Sequence, residues 1–540
     1  MKTYYKLTGT LLMALCLLGS ACTKLNEKAY SQIIADDFYN GKGEVLSAVL
    51  RPYTHAGAWS APTGQQSFYR LNELAADQLA WPVKGVHGYD NGDWIRLHYS
   101  TWNPDEDNIG NPWNLIYTGI GYCNDPIKRI QETDLAKMGI TAEQRDAYVA
   151  ELKVFRAWSY MKLMDLYGNI PVVTVVGEPL SPPTKKRAEV FAFIESELKE
   201  NVDKLPVLSG QLVGRVTQAA GYAMLAELYL NAEVWTGTER WADCIAACDK
   251  VMSGATGGQQ GTAALDTKIT DPFLNTNTTK SKENLFVLAY NNQLTTTFCG
   301  WNSDYFHFNQ KYIYGGSQNG NDGVVVIPSA YDQFEDKDLR KKTWMLIGLQ
   351  HYYGDSTKVV VGGYEYKDQP LVFVDNIRRN SEGGTTSNMN TGEENSGARF
   401  NKYVPGPSTD PNYWSNDWVL YRLTDIYFYK AEALMRQAGG TATSEAVTLI
   451  NATRKRAFST SDWATEAYTT ATLTMDELLA ERGREFIFEG KRRTDLIRFG
   501  KFTTASWWDH TPTNKSTLTI FPIPQRQLTA NANLVQNPGY

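Results

Sequence analysis

The chain has 540 residues and a formal net charge of −6 at pH 7, so it lacks the basic surplus that marks a nucleic-acid-binding protein. Its length exceeds what one hydrophobic core usually supports, which predicts a large composite domain or intertwined lobes. Aromatic residues make up 12% of the chain, and many lie among Gly, Asn and Asp, where a helical or strand core is hard to place. The six cysteines include no CxxC pair and no zinc-like spacing, so buried thiols are the expected role for most of them.

The first segment, 1–21, is predicted to be a lipoprotein signal peptide. Lys2 and Lys6 come before an apolar run over 7–18, which is too short to cross a bilayer as a helix. Three small residues then precede Cys22, the predicted lipidation site. Several acyl chains on this cysteine would anchor the protein stably to a membrane.

A helical region is predicted over 22–255, interrupted by an aromatic loop at 54–112. A capping-box sequence at 141–144 and apolar residues at three- and four-residue spacing predict a long helix that ends near Gly168. Further helices are expected before Pro206, after Thr217 and around 241–248. The loop holds four tryptophans, Trp59, Trp81, Trp94 and Trp102, and Trp113 follows directly after it.

Residues 256–415 are predicted to form a large irregular insertion with a few short strands. The apolar runs at 285–289, 324–327 and 371–374 are the strand candidates. Loops of this length in a compact domain are usually functional or disordered, and the aromatic content favours function. Helices return over 416–540, with a second capping-box sequence at 474–477.

Six segments in chain order resemble motifs of the SusD/RagB family. They are 151–157 with 166–171, 214–217 with 223–230, 422–427 with 431–433, 451–457, 481–498, and 521–525 with 537–540. The resemblance implies a mostly α fold of four tetratricopeptide-type helix pairs, with the insertion forming part of the ligand face. It implies a non-catalytic protein without a cofactor that captures oligosaccharide or polysaccharide. The expected location is the cell outer membrane, facing outward, and the expected partner is a SusC-like TonB-dependent transporter that receives the glycan.

Two segments combine the groups that bind sugars. Aromatic faces pack against the CH faces of sugar rings, and planar polar side chains hydrogen-bond the hydroxyls. The first segment is a Gly-rich loop at 81–94, and the second lies at 299–306 in the insertion. The candidate ligand-binding residues are Trp81, His87, Tyr89, Asp90, Asn91, Trp301, Asn302 and Tyr305.

Two other functions remain open. A surface glycoside hydrolase would need two facing carboxylates, whose spacing in sequence is unconstrained. A peptide-binding lid of a related transporter would need groups that recognise a strand edge or backbone.

Two charged clusters have simpler interpretations. The mixed-charge run at 482–498 is predicted to be a network of structural ion pairs. Asp105, Asp107 and Asn108 have the oxygen atoms for a calcium site, but Ile109 breaks the EF-hand order. No metal is therefore predicted, and a structural calcium ion lacks support.

Overall fold

The computed structural model describes residues 39–62, 67–177, 180–291, 300–408 and 414–540. Cys22 and the predicted signal peptide lie outside these ranges. Helices dominate the N-terminal part of the described chain. They are α1 Lys42–Ser60, α2 Phe68–Leu74, α3 Asp93–His98, α4 Asp107–Glu132, α5 Ala142–Tyr167, α6 Arg187–Asn201, α7 Gln218–Leu230, α8 Ala232–Thr236 and α9 Trp241–Met252.

The rest of the chain adds shorter helices and then a second helical region. In the insertion these are α10 Asn277–Lys280, α11 Trp301–Tyr305, α12 Lys311–Tyr314, α13 Pro328–Tyr331 and α14 Leu339–Thr343. In the C-terminal region they are α15 Leu423–Gln437, α16 Ser444–Arg454, α17 Thr460–Glu466, α18 Met475–Phe486, α19 Arg492–Arg498 and α20 Gln525–Ala530. None of the helices in the described ranges combines the length and hydropathy needed to cross a bilayer.

The long helices pack in succession as neighbouring pairs. Helix α4 lies against α5, α5 against α6, α7 against α9, and α15 against both α9 and α16. The capping box that begins α5 is present, because Thr141 and Gln144 each bond the other's backbone N–H. At the start of α18, Thr474 accepts from the backbone N–H of Glu477 at 3.1 Å. The prediction of a mostly α fold with tetratricopeptide-type helix pairs is confirmed.

The insertion contains small two-stranded sheets. Its strands and their partners are β1 Leu79–Ala80, β2 Asn284–Leu288, β3 Val325–Val326, β4 Met345–Leu346, β5 Gly348–Leu349, β6 His351–Tyr352, β7 Asp355–Val359, β8 Val372–Phe373, β9 Arg399–Phe400 and β10 Trp418–Arg422. The pairs β1–β3, β2–β10, β4–β9, β5–β8 and β6–β7 are all antiparallel. All three predicted strand segments are confirmed, as β2, β3 and β8.

The segment at 54–112, predicted to be a loop, contains more helix than its sequence indicates. Helix α1 extends to Ser60, α2 and α3 lie within the segment, and α4 begins at Asp107. Pro52, Pro112 and Pro126 lie inside helices. Burial of Ile109, Trp113, Ile116 and Ile120 along one side of α4 outweighs the low helix propensity of its Gly, Asn and Pro residues.

A buried ion-pair network joins the C-terminal helices to the insertion. The Arg340 guanidinium contacts Glu481 and Glu485, each at 2.9 Å, and is completely buried. Burial raises the pKa of the Glu489 carboxyl, but the Arg422 and Lys402 charges outweigh it and leave the pKa at about 2. The prediction that the run at 482–498 forms structural ion pairs is confirmed by Arg482–Asp495, Arg492–Asp77 and Arg498–Glu432.

Candidate functional site

A cavity of about 680 Å³ opens between the loop at 81–94 and the insertion. Its wall combines aromatic rings, carboxylates, one guanidinium and backbone at two glycines. The lining residues are Arg70, Trp81, His87, Gly88, Asp90, Asp93, Trp94, Phe308, Gly320, Asn321 and Tyr364.

One wall of the cavity is a pair of stacked indoles. Trp81 and Trp94 lie 5.0 Å apart, centroid to centroid, with 13° between their planes. The Arg70 guanidinium carbon lies 5.1 Å from the centre of one ring and 5.0 Å from the other. Asp304 holds Arg70 with two hydrogen bonds of 2.8 and 2.5 Å. A bidentate pair of this kind fixes the guanidinium and compensates its charge, so the indole pair is rigidly supported.

A second part of the wall consists of three rings in mutual contact. The centroid of His87 lies 4.8 Å from that of Phe308 and 4.4 Å from that of Tyr364. Phe308 and Tyr364 are themselves 4.6 Å apart. Tyr364 is 57% exposed, so most of its ring is open to a ligand. The buried Nε2 atom of His87 makes no hydrogen bond to any part of the chain that the structure describes.

Two carboxylates lie on the loop side of the cavity. Asp90 accepts a hydrogen bond of 2.6 Å from the Trp94 Nε1–H. Asp93 accepts from the Arg96 guanidinium at 2.5 Å. Burial raises the pKa of the Asp93 carboxyl, and Arg96 opposes that shift. Both acids belong to one short stretch of chain and are already engaged in hydrogen bonds.

The backbone of this loop explains its Gly and Asn content. Asp90, Asn91 and Gly92 have φ values of 40°, 56° and 76°, the left-handed region that Asp, Asn and Gly tolerate best. Gly88 has φ 79°, and a Cβ atom there would lie 2.6 Å from the Pro82 carbonyl oxygen. The turn therefore depends on these residue types.

The five loop residues predicted from sequence lie at or near this cavity. Trp81, His87 and Asp90 line it. Tyr89 is 59% exposed beside it. Asn91 is exposed in the turn, where its carbonyl oxygen accepts from Arg96 at 2.8 Å. Three of the five residues therefore line the cavity, and the other two lie next to it in the loop.

The second predicted segment is buried. The prediction that its three candidate residues contact a ligand at the surface is therefore wrong. Trp301, Asn302 and Tyr305 are only 1%, 3% and 1% exposed. Asn302 instead donates to the Asn319 carbonyl oxygen at 2.7 Å, which positions the chain just before the cavity-lining Gly320. Aromatic partners from distant parts of the chain surround the Trp301 ring; they are Phe400, Tyr403, Trp414 and Trp418.

Eight lining residues are not among the sequence candidates: Arg70, Gly88, Asp93, Trp94, Phe308, Gly320, Asn321 and Tyr364. Phe308, Asn321 and Tyr364 belong to the insertion that was predicted to form part of the ligand face, but nothing in their local pattern separates them from Trp301. Arg70 lies in a fully buried helix, where no sequence signal indicates its position over two indoles. Across the described ranges, no group of three His, Cys, Asp or Glu side chains could hold a metal ion.

The fold and this cavity define a mostly helical protein with an aromatic, solvent-open site. A family model described as "SusD family" matches residues 282–540, and one described as "Starch-binding associating with outer membrane" matches residues 54–230. Together they span most of the chain, which belongs to the SusD/RagB family.

Individual relatives agree with this assignment. The chain is 27% identical over 517 residues to the starch-binding protein SusD of Bacteroides thetaiotaomicron, covering 88% of this chain and 86% of that protein. Among solved structures, NanU of B. fragilis superimposes with a TM-score of 0.71 at 19% identity, covering 95% of this chain and 99% of that one. Surface glycan-binding protein A from B. thetaiotaomicron, in complex with laminarihexaose, gives a TM-score of 0.67 at 20% identity, with 92% and 99% covered. These structural matches establish the shared fold.

Proposed function

We propose that this protein is an outer-membrane glycan-binding lipoprotein that captures oligosaccharide in the aromatic cavity and delivers it to a SusC-like TonB-dependent transporter. The observation that carries the proposal is the cavity itself, in which the exposed Tyr364 ring shares the lining with the edges of a supporting indole pair, Trp81 and Trp94, that is only 6% and 4% exposed. Aromatic faces with a few fixed polar groups are the chemistry that sugar rings require.

The charges of the cavity favour an uncharged glycan. Arg70 is the only cation among the described lining residues, and Asp304 compensates it. Asp90 and Asp93 add negative charge, and Arg96 offsets only part of it. A glycan rich in carboxylate or sulfate groups would therefore be repelled, whereas hydroxyl groups can donate to these acids.

Relatives support the same class of ligand. One is named for starch binding, and another was solved with laminarihexaose bound. Attachment through Cys22, outward orientation and the transporter partner rest on the signal-peptide pattern and on family membership.

A hydrolase fits the cavity less well. A glycosidase places its two carboxyl groups on either side of the scissile bond. Asp90 and Asp93 instead lie within one turn of chain, and the described lining residues from the insertion include no Asp or Glu. A peptide lid is also disfavoured, because the described lining residues come from helices and loops and offer no strand edge.

The proposal is tested by isothermal titration of the chain from Thr23 onward against neutral oligosaccharides. Loss of the Tyr364 ring in Tyr364→Ala should weaken binding about fivefold, from the ~1 kcal/mol of one aromatic contact. Tyr122→Ala is the matched control, because Tyr122 lies on α4 beneath Arg51, away from the cavity lining. The sugar should be recovered uncut. Absence of saturable binding to every neutral sugar, or equal effects of the two variants, would refute the proposal.

A further inference from the structure

A second aromatic surface lies on the same insertion, outside the cavity lining. It consists of Tyr312 on α12 and of Tyr352 and Tyr353 in the hairpin formed by β6 and β7, and is called the hairpin platform below. Tyr353 is 57% exposed and Tyr312 is 36% exposed. Exposed aromatic rings grouped in this way are unusual on a surface without a ligand or partner.

The Tyr353 ring is held in place from one side. Its backbone N–H donates to the Tyr312 carbonyl oxygen at 2.8 Å, which ties the hairpin tip to α12. Gly315 packs directly under the ring, since a Cβ atom there would lie 2.8 Å from Tyr353 Cδ1. With one face against a glycine and more than half of the side chain exposed, the ring presents its other face outward.

Neighbouring groups brace the other two rings of the platform. Tyr312 and Tyr352 lie 4.9 Å apart with 31° between their planes. The Lys358 ammonium lies 3.9 Å from the centre of the Tyr352 ring, and the Lys311 ammonium lies 5.1 Å from that of Tyr312. Both cation–π contacts rigidify the aromatic rings while keeping N–H donors at the edge of the platform.

The platform is continuous with the cavity through one segment of chain. Phe308 lines the cavity, and the next residue, Asn309, donates to the Val361 carbonyl oxygen at 2.9 Å. The backbone N–H of Lys311, at the start of α12, donates to Asn319 Oδ1 at 3.1 Å. Asn319 directly precedes Gly320 and Asn321 of the cavity wall. Seven residues separate Phe308 from Gly315, so the two surfaces are at most about 25 Å apart along the chain.

We propose that the hairpin platform is a second subsite, where a further portion of the same uncharged glycan chain stacks on Tyr353 after its end has entered the cavity. This inference rests on the proposed glycan-binding function of the cavity. It predicts that affinity rises with chain length until the glycan reaches both surfaces. Short sugars would occupy the cavity alone and would not sense the platform.

The test is titration of linear neutral gluco-oligosaccharides, from the trisaccharide to the octasaccharide, into the wild-type chain from Thr23 onward and three variants. Tyr353→Ala should weaken octasaccharide binding about three- to tenfold and leave trisaccharide binding unchanged. Tyr353→Phe keeps the ring and should restore the octasaccharide affinity. Tyr364→Ala should weaken both sugars alike, because Tyr364 lines the cavity. Because Tyr353 is 57% exposed, its variants should keep the fold, and an unchanged melting temperature checks this.

The outcomes separate the two proposals. Wild-type affinity that does not change with chain length, or a Tyr353→Ala variant that binds the octasaccharide normally, overturns the second subsite and leaves the cavity proposal standing. Equal weakening of trisaccharide and octasaccharide by Tyr353→Ala also overturns it, because Tyr353 would then act on the cavity itself. A wild-type protein that binds neither of these sugars, nor any other neutral oligosaccharide, refutes both proposals.

Discussion

Glu73 is a buried carboxyl group without a cationic hydrogen-bond partner, and its replacement by glutamine provides a sharp test of the structure. The residue lies on α2, one turn after Arg70, and is completely buried. Its Oε1 atom accepts from the backbone N–H of Gly490. Its Oε2 atom has no hydrogen-bond partner within the described chain. Burial raises the pKa of Glu73 to about 8, although the Gly490 N–H and the Lys402 charge favour the ionised form.

The sign of the pH dependence follows from this raised pKa. The folded state keeps a proton on Glu73 up to about pH 8, whereas the unfolded chain loses it near the ordinary glutamate pKa of 4.5. The contribution of protonated Glu73 to the free energy of unfolding is therefore fully present below the pKa of the unfolded chain. It is lost as pH rises through the pKa of the folded state. Between pH 5 and pH 8 the loss amounts to about 3–4 kcal/mol, at ~1.4 kcal/mol per pH unit. Glu73→Gln removes this dependence, because the amide stays neutral.

Thermal unfolding of the wild type and Glu73→Gln at several pH values between 5 and 8 measures the effect. A chain of about 500 residues unfolds with an entropy of roughly 1 kcal/mol/K, so 1 kcal/mol shifts the melting temperature by about 1 °C. The two proteins should melt within about 1 °C of each other at pH 5, and the variant should melt about 3–4 °C higher at pH 8. All other titrating groups are the same in the two proteins, so their effects cancel in the difference between the two melting temperatures.

Glu283→Gln is the matched control. It makes the same substitution at an equally buried carboxyl group whose pKa is lowered instead of raised. Burial raises the pKa of Glu283, but the charges of Arg456 and Arg422 outweigh it and leave the pKa at about 2. The ionised Glu283 therefore stabilises the fold above the unfolded pKa, and this is lost only as pH falls through about 2. Its variant should be less stable by about 3 kcal/mol at every pH from 5 to 8. A pH-independent difference between wild type and Glu73→Gln would refute the reasoning, since Glu73 would then be ionised in the fold.

Three further substitutions test separate parts of the structure. Arg340→Met leaves Glu481 and Glu485 without this partner inside the fold and should lower stability by about 3–5 kcal/mol, measured by thermal unfolding. Gly88→Ala places a side chain at φ 79° and 2.6 Å from the Pro82 carbonyl oxygen, so it should cost about 1–2 kcal/mol and weaken glycan binding in titration while the helical circular dichroism is retained. Thr141→Ala removes the capping box of α5 and should cost about 1 kcal/mol with glycan affinity unchanged, and a loss of affinity would contradict the assignment of the site.

The long helices were predictable because their signals are local. Helix α5 is predicted by the Thr141 capping box, by the spacing of its apolar residues and by Gly168 at its end. Helix α4 was not predictable in the same way, since Pro112 and Pro126 lie within it. Its formation depends on burial against α1 and α5, which only the folded chain provides.

The part of the candidate site that the 81–94 loop forms was predictable for a similar reason. The loop with Trp81, His87 and Asp90 combines aromatic and polar groups with the glycines of a tight turn, and all of that can be recognised within a few residues. Trp301 and Phe308 have the same kind of local sequence, yet Trp301 is buried and Phe308 lines the cavity. Partners such as Trp414 and Trp418, more than a hundred residues away in sequence, decide which ring is covered. No short pattern contains that information.

Helix α2 connects the ligand face to the C-terminal helices. All seven of its residues are buried. Arg70 supports the two indoles and bonds Asp304 of the insertion, whereas Asn72 accepts from Thr494 at 3.1 Å and Glu73 accepts from the Gly490 backbone. The polar groups of one short helix thus bond the insertion on one side and the segment at 481–498 on the other. This arrangement holds the cavity wall rigidly before a ligand arrives, so binding needs little ordering of side chains. A preformed site of this kind is compatible with the proposed release of the glycan to a transporter after capture.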